Sequence, residues 1–352
     1  MEGKAPSRRT MLRLTGAGVA GAVLGIGGWE GFRFFASPSG TAPKAADHSE
    51  KKPSPVQAVI DTHVHVVDTN LPGVPPGNAP DGIPFQGSLE RLARSIQSQM
   101  KEANVEHALC MPRREMNKAN DPLGTEGTRR LAQLVSGLHP VGLADPERCD
   151  DKHLASVEAA LKAGEVVALK AYLGYLHHGP DSPGYRPYYR LAAKYHLPVI
   201  FHTGDNYSQK AKVKFAHPLA IDEVAVDFPE TNFVIAHLGN PWLMDAAEVI
   251  YKNNKKRGVE NVWADLSALV IGSAEDFEKY RKQGVLKNVV GDVRKAIEYA
   301  ERPDRFLFGS DWPLTPMSVY RDFIRELVPE PYHQMVFYKN AKELFKLNGQ
   351  SG

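Results

Sequence analysis

The chain has 352 residues, of which 42% are hydrophobic and 24% are charged. This balance excludes a disordered or low-complexity protein, because there are enough apolar side chains to build a core. The 43 Lys and Arg against 41 Asp and Glu leave a formal net charge of +2, which gives no support to a nucleic-acid-binding protein. Two cysteines are too few for a disulfide scaffold. The length allows two average domains or one large α/β barrel.

The first 36 residues have the features of an export signal. Arg8 and Arg9 form a twin-arginine pair, and an uncharged, glycine-rich run follows at 14–29. As a helix this run would span about 24 Å, short of the ~30 Å core of a membrane. We therefore predict a twin-arginine signal in 1–36, with an uncleaved membrane anchor as the alternative. The predicted location is the periplasm or the outer side of the inner membrane, and the expected partner is the twin-arginine export machinery.

The folded part is predicted to begin near residue 56. Residues 37–55 are rich in Pro, Ser, Ala and Lys, which is typical of a flexible linker without a core of its own. Residues 56–352 are then expected to form one domain.

From residue 56 onward, short apolar runs alternate with amphipathic stretches. Continuous apolar runs are typical of strands buried on both faces of a parallel sheet, and the stretches between them have helical spacing. One helix is predicted behind Asn240 and Pro241, which would supply its N-cap and first turn. Eight such repeats predict an α/β fold, a single-domain (β/α)₈ TIM barrel. The alternative, an open doubly wound sheet, usually has a Gly-rich turn after its first strand, where this chain has His-x-His. The predicted strands are 56–67, 107–111, 140–144, 166–172, 198–202, 232–237, 261–266 and 305–309.

Histidines and one aspartate stand at the ends of four of these runs. His63 and His65 are two apart on a strand, so both side chains point to one face and suit one divalent ion. His202, His237 and Asp311 end three further runs. In a barrel, catalytic groups come from the carboxyl ends of several strands. A core histidine bonded to a backbone carbonyl would explain any one of these residues, but not all of them on one rim. The constellation therefore predicts a metal site.

These motifs resemble the amidohydrolase superfamily, in the amidohydrolase-2 branch of metal-dependent (β/α)₈ barrels. The resemblance extends from about Ala58 to Leu347, and together the motifs are specific for the branch, though not for a substrate. The motifs are Asp61-Thr62-His63-Val64-His65, His202-Thr203-Gly204, Ala236-His237-Leu238-Gly239, Gly309-Ser310-Asp311-Trp312-Pro313 and the closing Asn340-Ala341-Lys342-Glu343-Leu344-Phe345.

The resemblance implies a ligand set and two catalytic roles. His63, His65, His202 and Asp311 would hold one divalent ion, usually Zn²⁺, with Mn²⁺, Fe²⁺ or Co²⁺ as alternatives. His237 would act on the substrate or on water, and Asp311 would accept a proton while it touches the metal. Three imidazoles and a carboxylate suit Zn²⁺ with an open position for water. The expected enzyme is a hydrolase that uses a metal-activated water on a small ester, lactone or amide.

Two other functions are kept beside this one. The same branch includes metal-dependent decarboxylases of aromatic or muconate-type carboxylic acids, and the predicted export mildly favours hydrolysis over that reaction. A non-catalytic exported binding protein on a barrel scaffold is the remote alternative, since all five site positions are present.

Candidate substrate contacts lie near the same rim. Lys170 ends the fourth predicted strand, where we expect an ammonium for an anionic substrate or a structural ion pair. A carboxylated lysine that bridges two metals, as in other branches of the superfamily, is the less favoured reading. Tyr172 and His177 lie in an aromatic, histidine-rich loop, which in a barrel forms a wall of the active site. Arg113 follows the second predicted strand and is expected to hold a carboxylate.

Overall fold

The computed structural model describes residues 58–65, 89–112, 121–253 and 259–347. All of them belong to one compact unit, Ser54–Gly352. The predicted export signal and Arg113 lie outside the described residues. In the described part of the chain, no helix is both long enough and apolar enough to cross a membrane.

Parallel strands form the inner wall of the fold, and each pairs with the next along the chain except the third, which does not pair with the fourth. The third and fourth are two parts of one barrel strand, because Val141 N donates to Cys110 O on one side and Gly142 N donates to Ala168 O on the other, both at 2.9 Å. The strands are β1 (Val59–His65), β2 (Val105–Met111), β3 (Leu138–Pro140), β4 (Gly142–Leu143), β5 (Leu169–Ala171), β6 (Val199–Phe201), β7 (Phe233–Ile235), β8 (Val262–Asp265) and β9 (Phe306–Leu307).

Contacts between the first and last strands close the barrel. Thr62 N donates to Phe308 O at 2.9 Å, and His65 N donates to Trp312 O at 2.8 Å. Val64 and Trp312 also form a parallel β-bridge. With β3 and β4 taken together, these contacts join eight barrel strands, one in each predicted run. The prediction of a TIM-barrel-like α/β fold is therefore confirmed.

Helices lie between the strands, and side-chain caps fix some of their ends. Asp150 accepts a bond from His153 N at the start of one helix, which satisfies one of the free amides there. The helix predicted behind Asn240 begins only at Leu243, because the chain first makes a left-handed turn at His237. Asn240 is therefore not its N-cap. The α-helices are α1 (Leu89–Ala103), α2 (Glu126–Ala132), α3 (Asp151–Lys162), α4 (Arg186–Tyr195), α5 (Ala220–Asp227), α6 (Leu243–Lys252), α7 (Ala274–Lys282), α8 (Val285–Ala300), α9 (Met317–Leu327) and α10 (Asn340–Leu344).

The core has two layers. The larger one lies between the strands and the surrounding helices. The smaller one takes a buried residue from each barrel strand, as expected for a barrel interior filled by side chains. Leu344 and Phe345, at the end of the chain, join this inner layer, and Asn340 fixes α10 by donating to Phe306 O at 2.8 Å. The inner residues of the strands are Ile60, Leu109, Val141, Ala168, Ile200, Val234, Trp263 and Leu307.

Candidate metal centre

Three of the four predicted ligands meet where β1 ends beside the loop that follows β9. His65 Nε2 lies 3.1 Å from Asp311 Oδ1, and His63 Nε2 lies 3.7 Å from the same oxygen. One potential ligand atom from each of the three lies within 4.8 Å of the other two. The Asp311 amide donates to the His63 carbonyl at 2.8 Å, so the backbone itself holds the two side chains together.

Asp61 and Gly309 allow this close approach. Asp61 Oδ1 accepts from His63 N at 3.1 Å and from Ser310 N at 2.9 Å, and so ties β1 to the residue before Asp311. Burial raises the pKa of the Asp61 carboxyl to about 7. A Cβ atom at Gly309 would lie 2.9 Å from His63 Cβ, so a side chain there would push His63 out of place.

The donor set fits a divalent cation. Asp311 Oδ1 is buried, and no group among the described residues makes a well-formed hydrogen bond to it, which leaves an electron pair free for an ion. Burial opposes ionisation of Asp311, but its contacts with His65 and His63 keep the pKa of this carboxyl well below the usual value. Two imidazole nitrogens and an ionised carboxylate oxygen are ligands that Zn²⁺ and similar ions prefer.

His202 and His237 form a second pair beside these three residues. His237 Nε2 lies 3.2 Å from His202 Nδ1, and the ring centroids of His237 and His63 are 4.8 Å apart. His202 Nε2 lies 3.2 Å from the Asp205 carbonyl oxygen. The structure therefore places His202 in contact with His237, which in turn lies against His63. His202 itself is not part of the group formed by His63, His65 and Asp311. Burial lowers the pKa of His237 to about 3, so its imidazole is neutral near pH 7.

The backbone is left-handed at several positions in this region. Its φ is 59° at His237, 45° at Leu238, 47° at Ala268 and 57° at Asp311. Such conformations cost about 1–3 kcal/mol each in non-glycine residues and persist only where surrounding contacts hold them. At His237 the contact is the bond from its amide to Asp265 Oδ1, 2.9 Å long. The turns aim side chains into the site at the ends of three barrel strands.

Two residues that the sequence analysis did not single out, Asp265 and Ser267, lie at the centre of the site. Asp265 Oδ2 lies 2.9 Å from His63 Nδ1. Ser267 Oγ bonds Asp265 Oδ1 and lies 2.8 Å from His237 Nδ1. His63, His237 and Asp265 also form a second group of possible ligands, but the Ser267 hydroxyl lies among them and binds all three. Asp265 is the last residue of β8 but lies one residue inside the predicted strand 261–266, so inspecting every polar residue near a strand end would have found it.

The predicted substrate contacts have different surroundings. Lys170 is fully buried, its Nζ lies 3.3 Å from His63 Nε2, and burial lowers its pKa to about 8. Tyr172 is buried beside it, with its ring centroid 5.5 Å from Lys170 Nζ, and its hydroxyl donates to Pro112 O. The structure brings both to the site.

The loop that follows Tyr172 contributes a different residue from the one predicted. His177 is exposed, and its Nε2 lies 2.8 Å from Lys210 O, so the structure does not bring it to the group of predicted ligands. Tyr175, which the sequence analysis did not select, packs edge-on against His202 with ring centroids 4.8 Å apart. Its hydroxyl accepts from Tyr207 N at 2.8 Å.

Solved structures share the fold. An uncharacterised TIM-barrel protein from Bordetella bronchiseptica is 19% identical, with a TM-score of 0.56 over 82% of this chain and 98% of that one. A probable 2-pyrone-4,6-dicarboxylic acid hydrolase from Acinetobacter baumannii, with citric acid bound, is 16% identical, with a TM-score of 0.55 over 83% and 100%. The 5-carboxyvanillate decarboxylase of Sphingomonas paucimobilis is 14% identical, with a TM-score of 0.52 over 83% and 100%. At these identities the similarity shows the fold alone.

Sequence comparison adds a partial relative and a family. A stretch of 104 residues is 27% identical to the Upstream-binding factor 1-like protein 1 of Homo sapiens. It covers 30% of this chain and only 24% of the human protein, so it carries no argument about activity. The family model described as Amidohydrolase matches residues 60–347, a range that contains every predicted metal ligand. Because this match covers most of the chain, the protein belongs to the amidohydrolase family.

Proposed function

We propose that this protein is a metal-dependent hydrolase that uses an activated water on a small ester, lactone or amide. The observation that carries the proposal is that His63, His65 and Asp311 each place one potential ligand atom within 4.8 Å of the other two. Among the described residues, Asp311 Oδ1 has no well-formed hydrogen bond and so is available to an ion. His237, a neutral imidazole, lies beside them. This combination supplies ligands for an ion together with two groups that can accept a proton.

Four residues would bind the ion, and two residues would move protons. His63, His65 and Asp311, with His202 as the fourth ligand, would hold the ion, for which Zn²⁺ is the best match. A bound divalent ion would supply Lewis acidity, which polarises a carbonyl and lowers the pKa of water. The Asp311 carboxylate would take a proton from the attacking water as the water oxygen bonds to the carbonyl carbon. His237 Nε2 would then take up this proton from Asp311 and pass it to the leaving alcohol or amine when the bond between that group and the carbon breaks.

Lys170 favours a second candidate, a decarboxylase of an aromatic or muconate-type carboxylic acid. A fully buried ammonium 3.3 Å from His63 Nε2 is well placed to hold a substrate carboxylate. In that reaction the carboxylate leaves as CO₂, and a proton takes its place on the carbon.

One experiment separates these activities. Purified protein loaded with Zn²⁺ is offered small esters, lactones and amides, and in parallel aromatic and muconate-type acids, while CO₂ release is recorded. We expect hydrolysis, a loss of about 10²–10³ in kcat/KM after treatment with a chelator, and recovery on adding Zn²⁺ or Mn²⁺. CO₂ release without hydrolysis would replace the first candidate by the second. Full activity in metal-free protein would overturn both.

We also propose export through the twin-arginine machinery, on the strength of Arg8, Arg9 and the apolar run behind them. Because that route carries folded proteins, the ion would be loaded before export. Replacing both arginines with lysine is expected to keep the protein in the cytoplasm, as measured by cell fractionation. The matched control is Arg33→Lys, a charge-conserving change outside the pair. Unchanged export of the double variant would contradict the proposal, and a carbonate wash of membranes would distinguish an anchored protein from a free periplasmic one.

A further inference from the structure

Asp265, at the end of β8, is the side chain that joins His63 to His237. It is 1% exposed. Its Oδ1 accepts hydrogen bonds from the backbone amides of His237 and Ser267, which are 2.9 and 3.0 Å long. An ionised carboxylate can only accept hydrogen bonds. Every group that is hydrogen-bonded to the Asp265 carboxylate must therefore be the donor.

This rule fixes the proton positions on both histidines. His63 Nδ1 lies 2.9 Å from Asp265 Oδ2, so Nδ1 carries the proton and Nε2 is bare. The Ser267 hydroxyl donates its single hydrogen bond to Asp265 Oδ1, so its oxygen can only accept further hydrogen bonds. The donor to that oxygen is His237 Nδ1, 2.8 Å away. His237 Nδ1 therefore carries a proton too, and its Nε2 is bare.

We infer that Asp265 and Ser267 are positioning residues that set the tautomers of His63 and His237 together. The inference rests on the proposed function for its purpose. The bare Nε2 of His63 lies 3.7 Å from Asp311 Oδ1, where the ion is proposed to bind. The unprotonated Nε2 of His237 lies 3.2 Å from His202 Nδ1. This is the nitrogen that is proposed to carry the proton to the leaving group. One buried carboxylate thus prepares a metal ligand and a proton carrier at the same time.

Two substitutions separate these effects. In Asp265→Asn, the amide oxygen keeps the bonds from the His237 and Ser267 amides, which are 2.9 and 3.0 Å long. The NH₂ group then faces His63 Nδ1 and donates to it, which moves the His63 proton to Nε2 and blocks that nitrogen as a ligand. Ser267→Ala removes the acceptor for His237 Nδ1 and leaves the bond between Asp265 and His63 in place.

The direct test is the tautomeric state of the histidines in the metal-free full chain. Long-range ¹H–¹⁵N spectra of ¹⁵N-histidine-labelled protein distinguish Nδ1–H from Nε2–H, and the His63→Gln and His237→Asn spectra assign the two signals. We expect Nδ1–H at both residues in the wild type. Asp265→Asn should convert His63 to Nε2–H, whereas Ser267→Ala should change the His237 signal and leave His63 as the Nδ1–H tautomer, since its bond to Asp265 remains. An unchanged His63 signal in Asp265→Asn, or an Nε2–H signal at either residue in the wild type, would overturn the inference.

Zn²⁺ affinity, measured by competition with a chelating dye, gives a second readout. Asp265→Asn should weaken Zn²⁺ binding by about 10–100-fold, whereas Ser267→Ala should stay within about threefold of the wild type. The matched control is Asp121→Asn, since Asp121 is also buried and accepts from the backbone amides of Thr125 and Glu126. It should change neither readout. If wild-type protein binds no Zn²⁺, the proposed function fails while the spectra still decide the tautomers, so the two failures are distinguishable. Equal Zn²⁺ affinity of Asp265→Asn and the wild type would count against the inference.

Discussion

Replacing Asp311 with Asn is expected to lower kcat/KM by about 10³–10⁴ and to weaken Zn²⁺ binding by more than about 100-fold. The substitution removes the negative charge and puts a neutral amide, a weaker ligand and a much weaker base, in place of the carboxylate that lies 3.1 Å from His65 Nε2. Both proposed roles of the carboxylate, as ligand and as acceptor of the water proton, are lost in one step. Asn is chosen because φ at this position is 57°, a left-handed value that Asn tolerates better than Ala. Steady-state kinetics and a competition titration with Zn²⁺ measure the two effects.

The control for this prediction is a carboxylate with the same burial and a different role. Asp311 is 5% exposed and Asp121 is 4% exposed, but Asp121 binds the backbone amides at the start of α2. Asp121→Asn is therefore expected to lower stability while Zn²⁺ affinity stays at the wild-type value. If Asp311→Asn retained activity within tenfold of the wild type, the proposed centre would be wrong, whatever its effect on stability.

The strands were predictable because barrel strands are buried on both faces. That burial demands continuous apolar runs, and the run 198–202 contains β6 just as the run 232–237 contains β7. The closure of the barrel could not be predicted from such apolar runs. Closure depends in part on two hydrogen bonds, because the hydroxyl and the amide of Thr62 both donate to Phe308 O, 246 residues further along the chain. No local pattern carries that information, so closure followed only from the count of repeats and the known geometry of barrels.

The site residues that could be predicted from the sequence are those polar residues that follow or interrupt an apolar run. His63, His65 and Asp311 were found in this way, and the structure brings them together. Asp265 stands between Ala264 and Leu266, and there it was read as part of the strand. Its importance comes from bonds to two histidines on other strands, which sequence spacing does not encode.

Loop residues were harder to place than strand ends. His177 was selected for its chemistry, yet the loop turns it to the Lys210 carbonyl, whereas Tyr175 two residues earlier packs on His202. In a strand, the period of two decides which side chains share a face. In a loop, single backbone bonds decide it, such as that of Lys212 N to Gly174 O at 3.0 Å. Such bonds are a property of the folded structure, so residue type alone could not separate the two side chains.

Replacing His237 with Asn is expected to lower kcat by about 10²–10³ and to leave Zn²⁺ affinity within about threefold of the wild type. The neutral imidazole that moves a proton is lost, but His237 is not part of the group formed by His63, His65 and Asp311. Kinetics and Zn²⁺ titration should therefore diverge here, whereas both fall together in Asp311→Asn. That contrast distinguishes a proton carrier from a ligand.

The matched control for His237→Asn is the same substitution at His196. His196 is exposed at the end of α4, and its φ of 55° is close to the 59° of His237. Asn must therefore adopt the same left-handed backbone conformation in both variants. His196→Asn is expected to leave kcat and Zn²⁺ affinity unchanged. A loss of Zn²⁺ affinity in His237→Asn as large as in Asp311→Asn would make His237 a ligand and would contradict the assignment of its Nε2 to proton movement. A normal kcat in His237→Asn would instead leave Asp311 as the sole proton acceptor, and the hydrogen bond between Ser267 and His237 would then serve structure alone.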